Sequence, residues 1–224
     1  MKTDIFLEID NYISNLLAPE DQILKETIKS LDTAGLPQHS VSANQGKFLQ
    51  VMMAACNAKN VLELGTLGGY STIWIARALP TDGKVTTIEV DESHGKVAQQ
   101  NIKNAKLSDK VDLKIGRALD ILPEIIKKQN EKFDMIFIDA DKPPYTEYFN
   151  YALKLSRPGT IIILDNVIRE GQVLDNDSKD EKVQGVQRLN KLLSGNKNIT
   201  ATILQTVGSK EHDGIVIAVV NKVD

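Results

Sequence analysis

From residue 60 onward the chain alternates short β-rich runs with stretches of helical length, and that rhythm admits few folds. The runs are Val61–Leu64, Val85–Val90, Val111–Ile115, Phe133–Ile138 and Thr160–Leu164. The stretches between them have about the length of βαβ crossovers, which join parallel strands through helices. Two further runs, Ala201–Val207 and Gly214–Val220, follow each other with no helix between them. They predict a closing hairpin, so that one antiparallel strand joins an otherwise parallel sheet. The expected fold class is therefore a doubly wound α/β sheet.

The first 34 residues read as helical and form an N-terminal extension. Ile5, Phe6, Ile9, Ile13, Leu16 and Leu17 recur at helical spacing, and Ile23, Leu24, Ile28 and Leu31 do so after Pro19. Gly35-Leu36-Pro37 breaks the pattern. Ser42-Ala43-Asn44-Gln45 has the form of a capping box, which predicts a helix through Phe48, Leu49, Met52 and Met53. At 224 residues the chain suits a single domain, 1–224, with helices over 1–58 and an α/β core over 59–224.

Composition narrows the function. With 42% hydrophobic and 25% charged residues, collagen-like, low-complexity and disordered classes are excluded. A net charge of −3 gives no global attraction for DNA or an anionic membrane. The single Cys56 excludes a multi-thiolate metal site, and the scattered His39, His94 and His212 leave none for a histidine cluster. Met1–Asp10 carries Asp4, Glu8 and Asp10 where a signal peptide has a basic start, and the longest apolar run, Ile215–Val220, is too short to span a bilayer. A cytoplasmic protein is expected.

Two strand ends carry the candidate chemistry. Val61–Leu64 runs into Gly65-Thr66-Leu67-Gly68-Gly69-Tyr70-Ser71, a glycine turn followed by a helix. Such a turn lets a ligand approach the backbone and the open helix amides. Its spacing is not the G-x-G-x-x-G of dinucleotide folds. Glu89 ends the next strand, 26 residues after Glu63, where doubly wound folds place an acid on a ribose diol. The plain alternative is a glycine turn that serves helix–strand packing alone.

The second pair of strands ends in Asp139-Ala140-Asp141-Lys142 and Asp165-Asn166. If the strands are parallel neighbours, Asp139 and Asp165 lie about 5 Å apart at one edge of the sheet. Carboxylates that close repel, and a positive partner is required, either Lys142 or a divalent cation. Oxygen-only ligands suit magnesium, manganese or calcium. The plain alternatives are aspartates that cap the next turn, and a surface Lys142 paired with Asp141.

Together, Glu63-Leu64-Gly65-Thr66, Glu89, Asp139-Ala140-Asp141-Lys142 with Tyr145, and Asp165-Asn166 resemble the cation-dependent O-methyltransferases, which include catechol and caffeoyl-coenzyme A O-methyltransferases. The resemblance runs from Ser42-Ala43-Asn44-Gln45-Gly46 to Asp213-Gly214. It implies a seven-stranded sheet, S-adenosylmethionine (SAM) as methyl donor and a homodimer. It also implies that Val41, Glu63, Gly65, Thr66, Ser71, Glu89 and Ala118 contact the cofactor. Asp139, Asp165 and Asn166 would bind the cation (magnesium, or else manganese or calcium), with Lys142 as general base and Asp141 near the acceptor. The implied acceptor is a small ortho-dihydroxy aromatic. The alternative acceptor, found among small bacterial relatives, is a hydroxylated uridine in tRNA, against which the net charge of −3 counts. A nicotinamide-dependent dehydrogenase is opposed by the Gly65 spacing, and a non-catalytic adenosine-binding protein would have no use for the acids and Lys142.

Other stretches carry plainer expectations. Trp74 and Ile75 read as core, Cys56 as a small core residue on its helix, and Lys127-Lys128 with Lys132 as a solvated helix end. His94, five residues after Glu89, is expected at the surface in preference to a place near the adenine. Asp175–Lys182 reads as a solvated loop, with a lip over the acceptor pocket as the alternative.

Overall fold

The computed structural model describes residues 3–128, 131–209 and 212–222, so residues 1–2, 129–130, 210–211 and 223–224 of the expected domain lie outside the described residues. Two helices open the chain, α1 (Thr3–Leu17) and α2 (Gln22–Thr33), on either side of Pro19. In α3 (Ala43–Ala55) the expected capping box is present: Gln45 N donates to Ser42 Oγ at 3.1 Å, and Ser42 N donates to Gln45 Oε1 at 2.8 Å.

The alternating segment becomes β1 (Asn60–Leu64), α4 (Tyr70–Ala78), β2 (Lys84–Glu89), α5 (Glu92–Asn104), β3 (Val111–Ile115), α6 (Ala118–Lys128), β4 (Phe133–Ile138), α7 (Tyr145–Lys154) and β5 (Ser156–Leu164). A short irregular turn, Arg169–Leu174, leads on to α8 (Glu181–Gly195), β6 (Ile199–Thr206) and β7 (Asp213–Val220). All seven strands form one sheet in the order β3-β2-β1-β4-β5-β7-β6. β1 to β5 pair in parallel, while β7 is antiparallel to β5 and β6. That is the mostly parallel, seven-stranded arrangement expected.

β5 departs from expectation by starting at Ser156, four residues before Thr160. Pro158 and Gly159 (φ +90°) give this start the look of a turn. The β4–β5 register shifts there, and Arg157 N donates to Thr160 Oγ1 at 2.9 Å. β2 and β6 each end one residue sooner than expected, at Glu89 and Thr206.

Strand alternation divides the core between the two faces. Leu62, Leu64, Ile136 and Ile138 pack with α6, α7 and α8, whereas Val61, Met135 and Phe137 pack with α3 and α4. Trp74 and Ile75 are buried in α4 as expected. Cys56 corrects its expectation: it is the half-buried C-cap of α3. Lys127 and Lys128 are exposed in the last turn of α6, where cations oppose the helix dipole favourably.

The parallel ladder continues one residue past the strand ends. Gly65 N donates to Ile88 O at 3.0 Å, Asp139 N to Leu64 O at 2.9 Å and Asp165 N to Ile138 O at 3.0 Å. The glycine turn, Glu89 and both aspartates therefore meet at one sheet edge, where β1 separates β2 from β4 and the strand order reverses.

Candidate active site

Gly65 leaves β1 at φ +96°, and a Cβ there would lie 2.0 Å from the Asp139 carbonyl oxygen. Only glycine meets both conditions. Gly69, at φ +83°, is the N-cap of α4 and gives no side-chain cap, which leaves first-turn amides open. Glu89 orders this turn. Its Oε2 accepts from Thr66 N at 3.1 Å and Leu67 N at 2.7 Å, and its Oε1 accepts from Asp91 N at 2.9 Å. A carboxylate offers about four acceptor positions, so one remains for a ligand hydroxyl. His94 Nδ1 stands 3.5 Å from Glu89 Oε1 and lines the same cavity, which corrects the surface placement expected for it.

Glu63 lies deeper and is fully buried. It accepts from Ser71 Oγ at 2.6 Å, Thr72 Oγ1 at 2.5 Å and Thr87 Oγ1 at 2.7 Å. Burial pushes its carboxyl up to about 7, against the pull of these three hydroxyls. The Thr87 proton is committed to Glu63, so Thr66 Oγ1 donates to Thr87 at 2.6 Å.

On the other side of β1, Asp139 and Asp165 follow the in-register pair Ile138 and Leu164. Buried Lys142 donates from Nζ to Asp139 Oδ1 at 3.0 Å and to Tyr145 Oη at 2.7 Å. Tyr145 Oη in turn donates to the Asp165 backbone carbonyl oxygen at 3.0 Å. Asp141 accepts instead from Tyr148 Oη at 2.5 Å, so the surface Lys142–Asp141 pair is excluded. Asp165 accepts from Asn166 N at 2.8 Å and from Gln45 Nε2 at 3.3 Å. Burial, and next the charge of Asp139, push the Asp165 carboxyl up to about 7.

One lysine thus pairs with Asp139, while Asp165, raised chiefly by burial and next by the charge of Asp139, has no ion pair among the described residues. Asp139, Asp165 and Asn166 present oxygen only, the donor set of magnesium, manganese or calcium. Among the described residues no three His, Cys, Asp or Glu side chains gather as metal ligands, and the set here is completed by the Asn166 amide. These residues fit a hard divalent cation.

Both halves open on one cavity of about 1370 Å³. That exceeds the usual 300–1,000 Å³ of a pocket for one small ligand and leaves room for two. Val41, Gly65, Thr66, Ser71, Glu89 and Ala118 line it, as do Asp139, Asp141, Lys142 and Asn166. Glu63 and Asp165 stand behind this lining. Sequence reasoning missed Ser40, whose buried Oγ has no partner among the described residues, and also Arg117 and Tyr148. No local pattern marks these three. Residues 175–180 are mostly solvated as expected, but Asp180 caps α8, so Glu181 and Lys182 belong to a helix and Lys182 borders the cavity.

The O-methyltransferase family matches residues 14–220. A catechol O-methyltransferase of Niastella koreensis is 56% identical over 220 residues, covering 98% of this chain and 100% of that protein. The O-methyltransferase of Bacillus cereus, solved in complex with SAH, superposes with a TM-score of 0.95 at 50% identity, over 98% of this chain and 100% of the other. An O-methyltransferase of tomaymycin synthesis from Streptomyces achromogenes, solved with SAM, gives 0.95 at 44% identity, over 99% of each chain. Fold, site and relatives agree: the chain belongs to the O-methyltransferase family and is a SAM-dependent O-methyltransferase.

Proposed function

We propose that the protein methylates one hydroxyl of a small ortho-dihydroxy aromatic, with a divalent cation (magnesium first, manganese or calcium otherwise) held by Asp139, Asp165 and Asn166. One observation carries this reading: two in-register carboxylates face a single lysine charge beside the cavity that the glycine turn also lines. The similarity to a catechol O-methyltransferase supports it.

On this reading the donor lies along the glycine turn. Glu89 gives its remaining acceptor position to a ribose hydroxyl, Val41 and Ala118 border the nucleoside, and Gly65, Thr66 and Ser71 border the rest. Glu63 holds Ser71 in place from behind. A phenol with a pKa of about 10 is only ~0.1% ionised at pH 7. A bound divalent cation supplies charge that favours the ionised hydroxyl and orients its neighbour. Lys142 takes the hydroxyl proton at Nζ. A neutral amine keeps two N–H bonds, enough for Asp139 and Tyr145, and turns its lone pair to the acceptor. The oxygen then bonds to the methyl carbon as the carbon–sulfur bond breaks, and the sulfonium becomes a neutral thioether. Positioning supplies most of the acceleration. Asp141, held by Tyr148, borders the acceptor.

The apolar side chains that α1 leaves exposed, among them Leu7, Ile9, Tyr12, Leu16 and Leu17, support a homodimer. No helix among the described residues is long and apolar enough to cross a membrane. The test is transfer of labelled methyl from SAM to catechol with and without a chelator. Transfer that stops with chelator and returns with magnesium is expected. Transfer indifferent to chelator overturns the cation, and transfer to tRNA but not to catechol overturns the acceptor.

A further inference from the structure

The segment after Asn166 is held in an unusual conformation. Asn166, Arg169 and Glu170 have φ of 58°, 53° and 55°, a left-handed region that residues with side chains rarely adopt. The start of β7 enforces it. Asp213 Oδ1 accepts from Ile168 N at 2.9 Å and Arg169 N at 3.0 Å, Val167 N donates to Gly214 O at 3.0 Å, and Glu170 N donates to His212 O at 3.1 Å. Backbone held this way at a cavity points to a side chain that must be presented there.

That side chain is Arg169. It lines the cavity together with Asn166, and its Nε is buried without a hydrogen-bond partner among the described residues. Nor does any described carboxylate form an ion pair with it. Of the acids that line the same cavity, Asp139 takes Lys142, Asp141 takes Tyr148 and Asp213 takes backbone amides, while Glu147 and Glu170 line it without an ion pair to Arg169 among the described residues. A buried guanidinium donor left unpaired is costly, and its fork of N–H groups matches a carboxylate.

We propose that Arg169 is the specificity-determining residue of the acceptor site and that the acceptor carries a carboxylate, on its ring or on a short side chain, which Arg169 takes. This rests on the diol reading above. Asn166 and Arg169 are three residues apart, at most about 11 Å between Cα atoms. An aromatic ring with a carboxylate bridges that separation when its diol lies beside Asn166.

The experiment is calorimetric binding of 3,4-dihydroxybenzoate and of neutral 3,4-dihydroxybenzyl alcohol to the full chain loaded with SAH and magnesium. The wild type should bind the acid at least about tenfold more tightly. Arg169→Met should weaken the acid about ten- to hundredfold and the alcohol less than about twofold, while Arg169→Lys restores part of the loss. Equal affinity of the wild type for both compounds, or equal weakening of both in Arg169→Met, overturns the proposal. Methyl transfer to the alcohol is followed in parallel. Transfer without any acid preference removes Arg169 alone, whereas no transfer to either compound removes the diol reading itself.

Discussion

Strand β4 has an aspartate near each end, and the two live in opposite circumstances. At the amino edge, Asp134 accepts from Lys59 N at 2.8 Å, Asn60 N at 2.9 Å, and Arg157 Nε and Nη2 at 3.2 and 2.5 Å. Burial alone would raise its carboxyl, but the Asn60 and Lys59 amides and Arg157 hold it below the ordinary range. At the carboxyl edge, Asp139 has Lys142 as its one side-chain partner among the described residues, and burial pushes its neighbour Asp165 up to about 7. The lesson concerns what each edge is for. The amino edge is satisfied by the protein itself and contributes stability. The carboxyl edge has fewer partners of its own, and on the proposed reading a cation completes it.

That contrast predicts effects that cross. Asp139→Ala or Asp165→Ala should lower methyl transfer by at least about a thousandfold. Asp165→Ala should change the unfolding free energy by no more than about 1 kcal/mol, whereas Asp139→Ala also leaves buried Lys142 without its carboxylate and should cost up to about 3 kcal/mol. Asp134→Ala should do the reverse of Asp165→Ala, costing about 2 kcal/mol of stability and keeping kcat/KM within about threefold of wild type. Urea titration beside initial-rate assays of the three variants checks this; a stable Asp134→Ala protein would dissolve the distinction. Lys142→Ala is expected to be milder, lowering kcat about 10²–10⁴-fold while the dissociation constant for SAM stays put. Equal losses in both would make Lys142 a structural residue.

A pH-dependent effect comes from Glu63, which has hydroxyl donors but no ion pair among the described residues. Burial pushes its folded carboxyl up to about 7 from an ordinary 4.5, so between those values the folded protein should keep a proton that the unfolded chain has released. The stability this gives is fully present below about pH 4.5 and is lost as pH rises through 7, by up to about 3 kcal/mol. Denaturant midpoints measured from pH 4.5 to 8 should fall with pH in wild type and flatten in Glu63→Gln. An unchanged slope would mean that the three hydroxyls already offset the burial of Glu63.

Period and punctuation made the sheet legible. Runs such as Val61–Leu64 and Phe133–Ile138 announce strands because apolar continuity is local, and acids at the strand ends follow from it. Partners across space were not legible. Nothing in Asp139-Ala140-Asp141-Lys142 says that Lys142 turns to Asp139 and Tyr145 while Asp141 goes to Tyr148; packing of α7 decides that. Glu63 and Glu89 both look like ligand contacts at the level of motif. Only their placement shows that Glu89 lines the cavity and Glu63 is enclosed by Ser71, Thr72 and Thr87. A position in the first turn of α5 such as His94 reads as solvent-facing unless the Glu89 carboxylate beside it is known. Arg169 owes its place to Asp213, 44 residues later in the chain.

The ladder bonds that run one residue beyond β1, β4 and β5 have a consequence for divergence among relatives. Gly65, Asp139 and Asp165 have their amides committed to the neighbouring strand, so hydrogen exchange at these three positions should be as slow as in the strands themselves. The proposed donor and cation sites then share the rigidity of the sheet. The acceptor side, by contrast, is bordered by the segment after Asn166 and the chain leading into α3, neither of which contributes a strand. Mutation can reshape those borders and exchange one acceptor for another while the methyl-transfer machinery stays as it is.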